Sequence, residues 1–366
     1  MTHATTETRP SPVLTARSCL LWVTTALLIT ACSSSEGIAE RNGSTTSASK
    51  DPKLEEEAQR RAMEREADIS RNADFSRALV QLDKALDEYT TNVAKSEHIT
   101  AQRRAESLKQ YLETQARRFF KPLVGIVGSE DARHRGIASA ALGFSGDEAV
   151  IEPLENALDD SEDFVRINAA LGLGQLASPK TPLDRLIART LDTSASIEAR
   201  RAAAWALFRI QSAVRPKGDL PFRDGKLSMV WPKLLEGETL DKDGILAVHA
   251  LRGLGLLRDP ATVDSATRYL SHPQALIRQA ALVAVARTHN RKAAPLVFPL
   301  LSPTEQNPNV RLTARKALKA LTGDRVDHEY DLKAWRGEFR DVIEAQEAAS
   351  TSETSSADPD GTTEKK

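Results

Sequence analysis

Six copies of one pattern of apolar and polar positions follow one another along the chain. The copies align on anchor positions that are 31, 34, 47, 31 and 33 residues apart: Arg135, Arg166, Arg200, Ala247, Arg278 and Arg311. Three residues after each anchor stands an alanine: Ala138, Ala169, Ala203, Ala250, Ala281 and Ala314. Seven residues after each anchor stands a leucine or a valine: Leu142, Leu173, Leu207, Leu254, Val285 and Leu318. Because these two positions share one helix face, the pattern predicts six helices that pack through that face.

A shorter apolar segment precedes each anchor, as in residues 150–158, and a turn-forming run such as residues 159–161 joins it to the anchored helix. Each copy therefore predicts a helix, a turn and a second helix. The position six residues after the anchor is always Ala or Gly, which permits close helix approach. An aromatic content of 5% also favours helices over strands. We predict an all-α solenoid of about six helix-turn-helix units over residues 116–345, with Trp335 in a C-terminal cap.

The regions on either side of the repeats differ from them in pattern. Residues 54–69 are helix-prone but lack an apolar stripe, which predicts a solvated stalk helix. Apolar residues recur at steps of three and four over 75–93 and again over 108–119, as in amphipathic helices. We therefore assign residues 51–115 to a stalk and N-terminal capping helices. The polar residues 346–366 predict a disordered tail.

The N-terminus has the pattern of a targeting segment. Arg9 and Arg17 precede an apolar run over residues 18–30, which is too short for a spanning helix but fits a signal peptide. The run ends in Ile-Thr-Ala followed by Cys32, and this ending resembles the bacterial lipobox. The resemblance implies that residues 1–31 are a lipoprotein signal peptide and that Cys32 carries the lipid after cleavage. An ordinary secretory signal or an uncleaved anchor is the alternative.

Residues 32–50 are rich in Ser, Thr, Gly and Asn, which predicts a flexible tether between the anchor and the helices. By the resemblance to lipoproteins, Ser33 in place of an aspartate after the cysteine implies sorting to the outer membrane, facing the periplasm. The inner membrane stays open as the other location.

The repeat units resemble HEAT repeats of the bacterial kind that also occurs in phycobilin lyases. The residues that carry the resemblance are 160–172 and their counterparts, such as 309–314. It covers about residues 116–323 and implies a scaffold fold, which does not by itself specify a function. The family's acid-arginine ladder between repeats is expected to be incomplete. The acid six residues before the anchor is present only as Asp160, Asp241 and Glu305.

Candidate chemistry along the chain is sparse. With 50 basic and 51 acidic residues the formal net charge is -1, which gives no reason to expect a nucleic-acid partner. The seven histidines lack metal-ligand spacing, and no phosphate loop or nucleophile motif is present. The two cysteines, Cys19 and Cys32, both precede the repeats. We expect a protein without catalytic activity, metal or cofactor. The resemblance to phycobilin lyases leaves an enzyme as the alternative, by analogy of fold alone.

The helix face opposite the alanine and leucine positions is the candidate binding face. It holds the positions one, five and nine residues after each anchor. In the first two units these positions are mostly apolar: Gly136, Ala140, Phe144, Ile167, Leu171 and Gln175. In the later units five of them are basic and none is acidic. We predict a concave groove, half apolar and half basic, that binds a partner through the following residues: Arg201, Trp205, Arg209, Arg252, Arg287 and Lys316.

Two alternatives to this groove stay open. In the first alternative, the basic residues are ordinary solvated surface and the apolar residues are covered by the N-terminal helices. The second alternative concerns an insertion over residues 212–230, which contains Arg215, Lys217 and Phe222. This insertion either belongs to the binding face or is a neutral variation in length. The function we expect is a membrane-anchored lipoprotein scaffold or adaptor that binds a protein partner with an acidic segment in the cell envelope. A lyase-like enzyme, or a binder of an acidic polysaccharide or lipid head group, is the alternative.

Overall fold

The computed structural model describes residues 52–95, 98–214, 225–236 and 244–355. The chain divides into two units, residues 1–60 and 61–366. In the first unit the described residues are helical, and the side chains described there are exposed. The predicted signal peptide, Cys32 and the tether lie outside the described residues. No helix in the described part of the chain is long and apolar enough to cross a membrane.

The described part of the second unit contains six pairs of consecutive helices in contact with each other, preceded by two longer helices and followed by two more. The preceding helices are α1 (Pro52–Ala94), which begins in the first unit, and α2 (Ile99–Arg118). The first helices of the pairs are α3 (Phe120–Ile126), α5 (Ile151–Ala157), α7 (Asp184–Leu191), α9 (Gly225–Leu235), α11 (Val263–Thr267) and α13 (Ala294–Leu301). The second helices are α4 (Ala132–Leu142), α6 (Asp163–Leu176), α8 (Ile197–Ala213), α10 (Ile245–Leu257), α12 (Ala275–Thr288) and α14 (Pro308–Leu321). The closing helices are α15 (Leu332–Glu338) and α16 (Arg340–Ser355).

The all-helical prediction is confirmed, and the described residues contain no strand. The six second helices pack on one another in chain order from α4 to α14. Every alanine three residues after an anchor and every leucine or valine seven residues after it is buried. A Cβ built on Gly172 would collide with the carbonyl oxygen of Ser139, so the small position allows α6 to approach α4 closely.

The two ends of the repeat stack are covered by helices. At the N-terminal end Leu82 of α1 and Leu112 of α2 are fully buried, and Tyr89 of α1 packs edge-on against Phe144 with ring centroids 5.3 Å apart. At the C-terminal end Trp335 is fully buried, and its indole N–H donates to the carbonyl oxygen of Glu329 at 3.0 Å. Both ends therefore bury apolar surface that an uncovered repeat would expose.

Several boundaries differ from those expected from the sequence. The stalk and the first capping helix form one continuous helix, α1, and α2 ends at Arg118 rather than at residue 115. Residues 346–355, expected in a disordered tail, are the last turns of α16. The run Ala-Gln-Glu-Ala-Ala over residues 345–349 consists of strong helix formers, which extends the helix. Of the expected insertion, residues 212–213 end α8 and 225–230 begin α9, while Arg215, Lys217 and Phe222 lie outside the described residues.

Two of the ion pairs between successive units belong to the acid-arginine ladder within the described residues. Arg135 of α4 donates two hydrogen bonds to the carboxylate of Asp160, both at 2.8 Å. Arg278 of α12 does the same to Glu305, at 3.0 and 2.8 Å. The bond from Arg135 holds the pKa of Asp160 below its ordinary value. Burial raises the pKa of Glu305. The hydrogen bonds from Arg278 and from a backbone N–H together lower it by more than burial raises it, so the net shift is downward.

Acid is therefore expected to destabilise these junctions. The pKa values of Asp160 and Glu305 are lower in the folded protein than in the unfolded chain. The two carboxylates contribute fully to the stability of the fold when the pH is above about 4, the pKa of such groups in the unfolded chain. This contribution is lost as the pH falls through their lower pKa values in the folded protein. We expect the midpoint of urea unfolding to fall between about pH 5 and pH 3, and to fall less in the double variant Asp160→Asn, Glu305→Gln. An equally steep fall in that variant would show that other groups carry the acid sensitivity.

Candidate functional site

An open cleft of about 610 Å³ lies in the second unit, among α1, α4, α6, α8 and α10. One wall is the last part of α1, which contributes Leu86, Tyr89 and Val93. The rest is formed mainly by the second helices of the repeats. Their contributions include the following side chains: Ala140, Phe144, Ile167, Leu171, Gln175, Arg201, Trp205, Ile245 and His249. The cleft therefore contains five of the six positions that the sequence placed on the binding face of the first two units, all except Gly136.

Trp205 lies half-buried in this cleft, and its indole ring is contacted by α6 and by Arg209. A Cβ built on Gly174 of α6 would overlap the indole ring, so only glycine lets the ring lie against α6. The guanidinium of Arg209 lies 5.8 Å from the ring centroid, within reach of a cation-π contact. The Nε of Arg209 also donates to the carbonyl oxygen of Gly174 at 3.4 Å. These contacts fix the orientation of Trp205 before any partner arrives.

The charged side chains of the cleft have both signs. Arg201 lines it together with Asp87 of α1 and Glu198 of α8. Burial raises the pKa of Asp87, the neighbouring carboxylate of Asp83 adds to the rise, and Arg133 opposes it. A mixed rim around an apolar floor is suited to binding a side-chain surface rather than a single small anion.

The structure distributes the six predicted partner-binding residues over two places. Arg201 and Trp205 line the cleft, and Arg209 packs beside Trp205. The remaining three lie outside the cleft on α10, α12 and α14: Arg252, Arg287 and Lys316. Arg252 and Lys316 are exposed. The predicted groove, half apolar and half basic, thus corresponds to an apolar cleft with basic residues outside it, and partner binding by the six residues stays a prediction.

The repeat pattern and the helix pairs match a known type of repeat. Residues 120–208 and 232–319 match the family profile of HEAT repeats, and the two stretches take in helices of all six units. These units are HEAT repeats. The second helices of the first four HEAT repeats, α4, α6, α8 and α10, form the floor of the cleft. No curated protein sequence matches the chain significantly.

Several solved structures are similar to part of the chain. An engineered protein solved by a structural genomics consortium has a TM-score of 0.43 at 19% identity, over 55% of this chain and 96% of its own. A designed armadillo repeat protein in complex with the peptide (KR)4 has a TM-score of 0.41 at 20% identity, over 55% and 98%. Human deoxyhypusine hydroxylase in complex with glycerol has a TM-score of 0.25 at 17% identity, over 73% and 97%.

The sequence left open that the N-terminal helices cover the apolar positions; α1 does pack against them through Tyr89 and Phe144, but it leaves an open cleft rather than a full cover. The periodic apolar residues of α1 were assigned to capping, which Leu79 and Leu82 perform, yet Val93 on the same helix is 47% exposed beside the cleft. The signal that could have revealed the wall is the extra apolar position Val93, one turn beyond the buried part of the helix. In the described residues no cluster of three or more His, Cys, Asp or Glu could hold a metal ion.

Proposed function

We propose that the protein is a membrane-anchored scaffold whose HEAT solenoid binds a protein partner of the cell envelope in the cleft. The observation that carries the proposal is the open apolar floor with Trp205 at its edge, flanked by Val93 and Ile245, which are 47% and 37% exposed. Apolar side chains left at the mouth of a cleft lose contact with water when a partner covers them, which favours binding.

The composition of the cleft favours a protein as the partner. HEAT repeats are scaffolds suited to protein binding, and the cleft combines Trp, Tyr and Arg, the residues most often responsible for the affinity of protein interfaces. The basic side chains of Arg201 and Arg209 border the apolar floor, which supports a partner segment that is acidic as well as apolar.

The membrane part of the proposal rests on the sequence around Cys32. The lipobox resemblance and the polar residues 32–50 support a lipid on the Cys32 thiol and a tether that leads to α1. Ser33 supports the outer membrane, with the repeats facing the periplasm. In this arrangement the scaffold is held at the membrane while its cleft faces the aqueous compartment.

The substitution Cys32→Ser is expected to remove the protein from the membrane fraction or to block processing of its leader. A serine hydroxyl cannot form the thioether on which this lipidation depends. Metabolic labelling with an alkyne palmitate analogue should mark the wild type and leave the variant unlabelled. A wild-type protein that is cleaved, soluble and unlabelled would contradict the anchor and leave the cleft proposal standing.

Cross-linking in native membranes followed by purification of the wild-type protein tests the binding proposal. We expect one defined protein species, whose capture depends on the cleft. A coloured or chemically modified small product would instead favour the lyase-like enzyme. A saccharide or lipid as the only bound species would favour the binder of an acidic polysaccharide or lipid head group.

A further inference from the structure

Exposed apolar side chains recur at the start of the second helices of the last three repeats. Ile245 of α10 and Leu276 of α12 stand two residues before the anchor, and Leu312 of α14 stands one residue after it. Leu276 and Leu312 are 46% and 39% exposed outside the cleft, whereas Ile245 lines the cleft. Both positions lie on the helix face opposite the buried alanine and leucine positions. We call these three side chains the apolar row.

The register of the second helices supports a row rather than separate spots. A Cβ built eight residues after an anchor would crowd the Cα six residues after the anchor of the next helix. This distance is 2.6 Å for Gly143 and Gly172, 2.9 Å for Gly174 and Ala206, and 2.9 Å for Gly255 and Ala284. Because one register recurs along the stack, equivalent positions of successive second helices lie side by side. On α6 the equivalent position is the exposed Phe164, and on α8 it is Glu198.

The last part of α1 shows how this face accepts a helix. Its residues Tyr89 and Val93, four positions apart on one helix face, lie in the wall of the cleft. The Tyr89 ring packs against Phe144, nine residues after the anchor of α4. Asp83 accepts a hydrogen bond from Arg133, two residues before the same anchor, at 2.5 Å. An apolar stripe flanked by an acid therefore docks α1 on the second helices.

The surface beyond the end of α1 has the chemistry that would accept another such helix. α1 ends one residue after Val93, which stays exposed in the same cleft as Ile245. The exposed Arg252 lies two turns after Ile245, and the exposed Lys316 lies one turn after Leu312. On α10, α12 and α14, all within the described chain, none of the positions two before and one, five and nine after the anchor is acidic. This face thus combines apolar side chains with cations.

We infer that the partner docks an amphipathic α-helix, with an apolar stripe and an acidic flank, across α10, α12 and α14. This inference rests on the proposed function and names the form of the segment that enters the cleft. The apolar stripe covers the apolar row, and the acidic flank lies towards Arg252 and Lys316. The docked helix continues the interface that α1 begins, so Val93 and Ile245 lie where the two helices meet.

An extended segment fits this face less well than a helix. The backbone N–H and C=O groups of an extended segment need hydrogen-bond partners once the face covers them. The second helices use their own backbone groups within the helix, and the described residues contain no strand to whose edge a segment could add. At the positions considered on α10, α12 and α14, the side-chain amides are Gln279 and Asn309. A helix pairs its backbone groups internally and needs only apolar and charged contacts.

Fluorescence anisotropy with labelled peptides tests the inference on the full-length protein in mild detergent. Each peptide has about 21 residues, because a helix of that length spans about 30 Å and crosses three packed helices. The stripe peptide has Leu at steps of three and four and Glu beside the stripe. The comparison peptides are a scramble of the same composition, a version with a central Pro, and a version with Lys in place of Glu.

We expect the stripe peptide to bind most tightly and to gain helical circular dichroism on binding. The double variant Leu276→Glu, Leu312→Glu should weaken it about tenfold or more, because the added carboxylates would be buried against the stripe. The matched control is Val80→Glu, Leu296→Glu, which adds the same charges at exposed positions of α1 and α13. This control should leave the affinity for the stripe peptide unchanged.

The outcomes separate this inference from the proposed function. It is overturned if no peptide binds, if the scrambled, Pro or Lys peptide binds as tightly as the stripe peptide, or if the control weakens binding as much as the double variant. Binding that Leu276→Glu, Leu312→Glu leaves unchanged overturns it too. The proposed function fails separately, if capture of the cross-linked partner is unaffected by Val93→Glu, Ile245→Glu.

Discussion

Replacing Trp231 with alanine is expected to lower the free energy of unfolding by about 3–5 kcal/mol. Trp231 is fully buried in α9, the first helix of the fourth unit. Its indole N–H donates to the side-chain oxygen of Gln211 at 2.9 Å, and the amide of Gln211 donates to the carbonyl oxygen of Gly253 at 3.0 Å. The ring fills the space over Gly253, where a Cβ would overlap it. Truncation leaves a cavity between α8, α9 and α10, together with an unsatisfied Gln211.

Urea unfolding followed by circular dichroism measures this effect. The matched control is Trp205→Ala, because Trp205 is the same residue type but half-buried in the cleft, so its loss should cost less. Gln211→Ala should destabilise by about 1–3 kcal/mol, since it leaves the buried indole N–H unpaired. If Trp231→Ala costs no more than Trp205→Ala, the indole is not a main contact between the third and fourth repeats.

The double variant Val93→Glu, Ile245→Glu is expected to abolish partner binding while the fold stays intact. The two side chains lie on different walls of the cleft, on α1 and α10, and both are exposed in the free protein. A carboxylate at either position would be buried by a bound apolar segment without a counter-charge. We expect each substitution to weaken the binding free energy by about 2 kcal/mol. Because the two sites are separate, the effects should add to a rise in the dissociation constant on the order of 1,000-fold.

Binding of the cross-linked partner, measured with purified components, tests this result against a control that carries the same charges elsewhere. Val80→Glu, Leu296→Glu places them on α1 and α13 at side chains that are 72% and 53% exposed and do not line the cleft. The control should bind like the wild type and unfold at a similar urea concentration, because exposed substitutions usually change stability by only about half a kcal/mol. Equal loss of binding in both variants would mean that added negative charge, not the cleft, controls the interaction.

The repeats were predictable because their signal is periodic and is set by short-range geometry. A small residue at position three and an aliphatic one at position seven after each anchor determine which helix face is buried, whatever the partner helix is. All twelve of these side chains are buried. Glycines eight residues after an anchor follow the same geometry, since Gly143, Gly174 and Gly255 each lie where a Cβ would crowd a neighbouring helix.

The site was only partly predictable, because periodicity shows which face is free and not what covers it. The apolar positions around Leu171 lie in the cleft as expected, but the wall from α1 depends on how a distant helix docks. Arginine stems are long, so a shared helix face does not fix where the guanidinium groups go. Arg209 turns back to the carbonyl oxygen of Gly174, and Arg287 lies over Gly255. The expected row of basic residues therefore divides between these packing roles and the surface.

Site-specific photo-cross-linking tests the central claim, that the cleft of the HEAT solenoid binds a protein partner, most directly. Benzoylphenylalanine is placed in full-length protein at Val93 or Ile245 in the cleft, and at Val80 or Leu296 outside it, and native membranes are irradiated. The account predicts the same protein adduct from both cleft positions and none from the two outer positions. Adducts of equal yield from the outer positions, or cleft adducts that contain only lipid or saccharide, would contradict it.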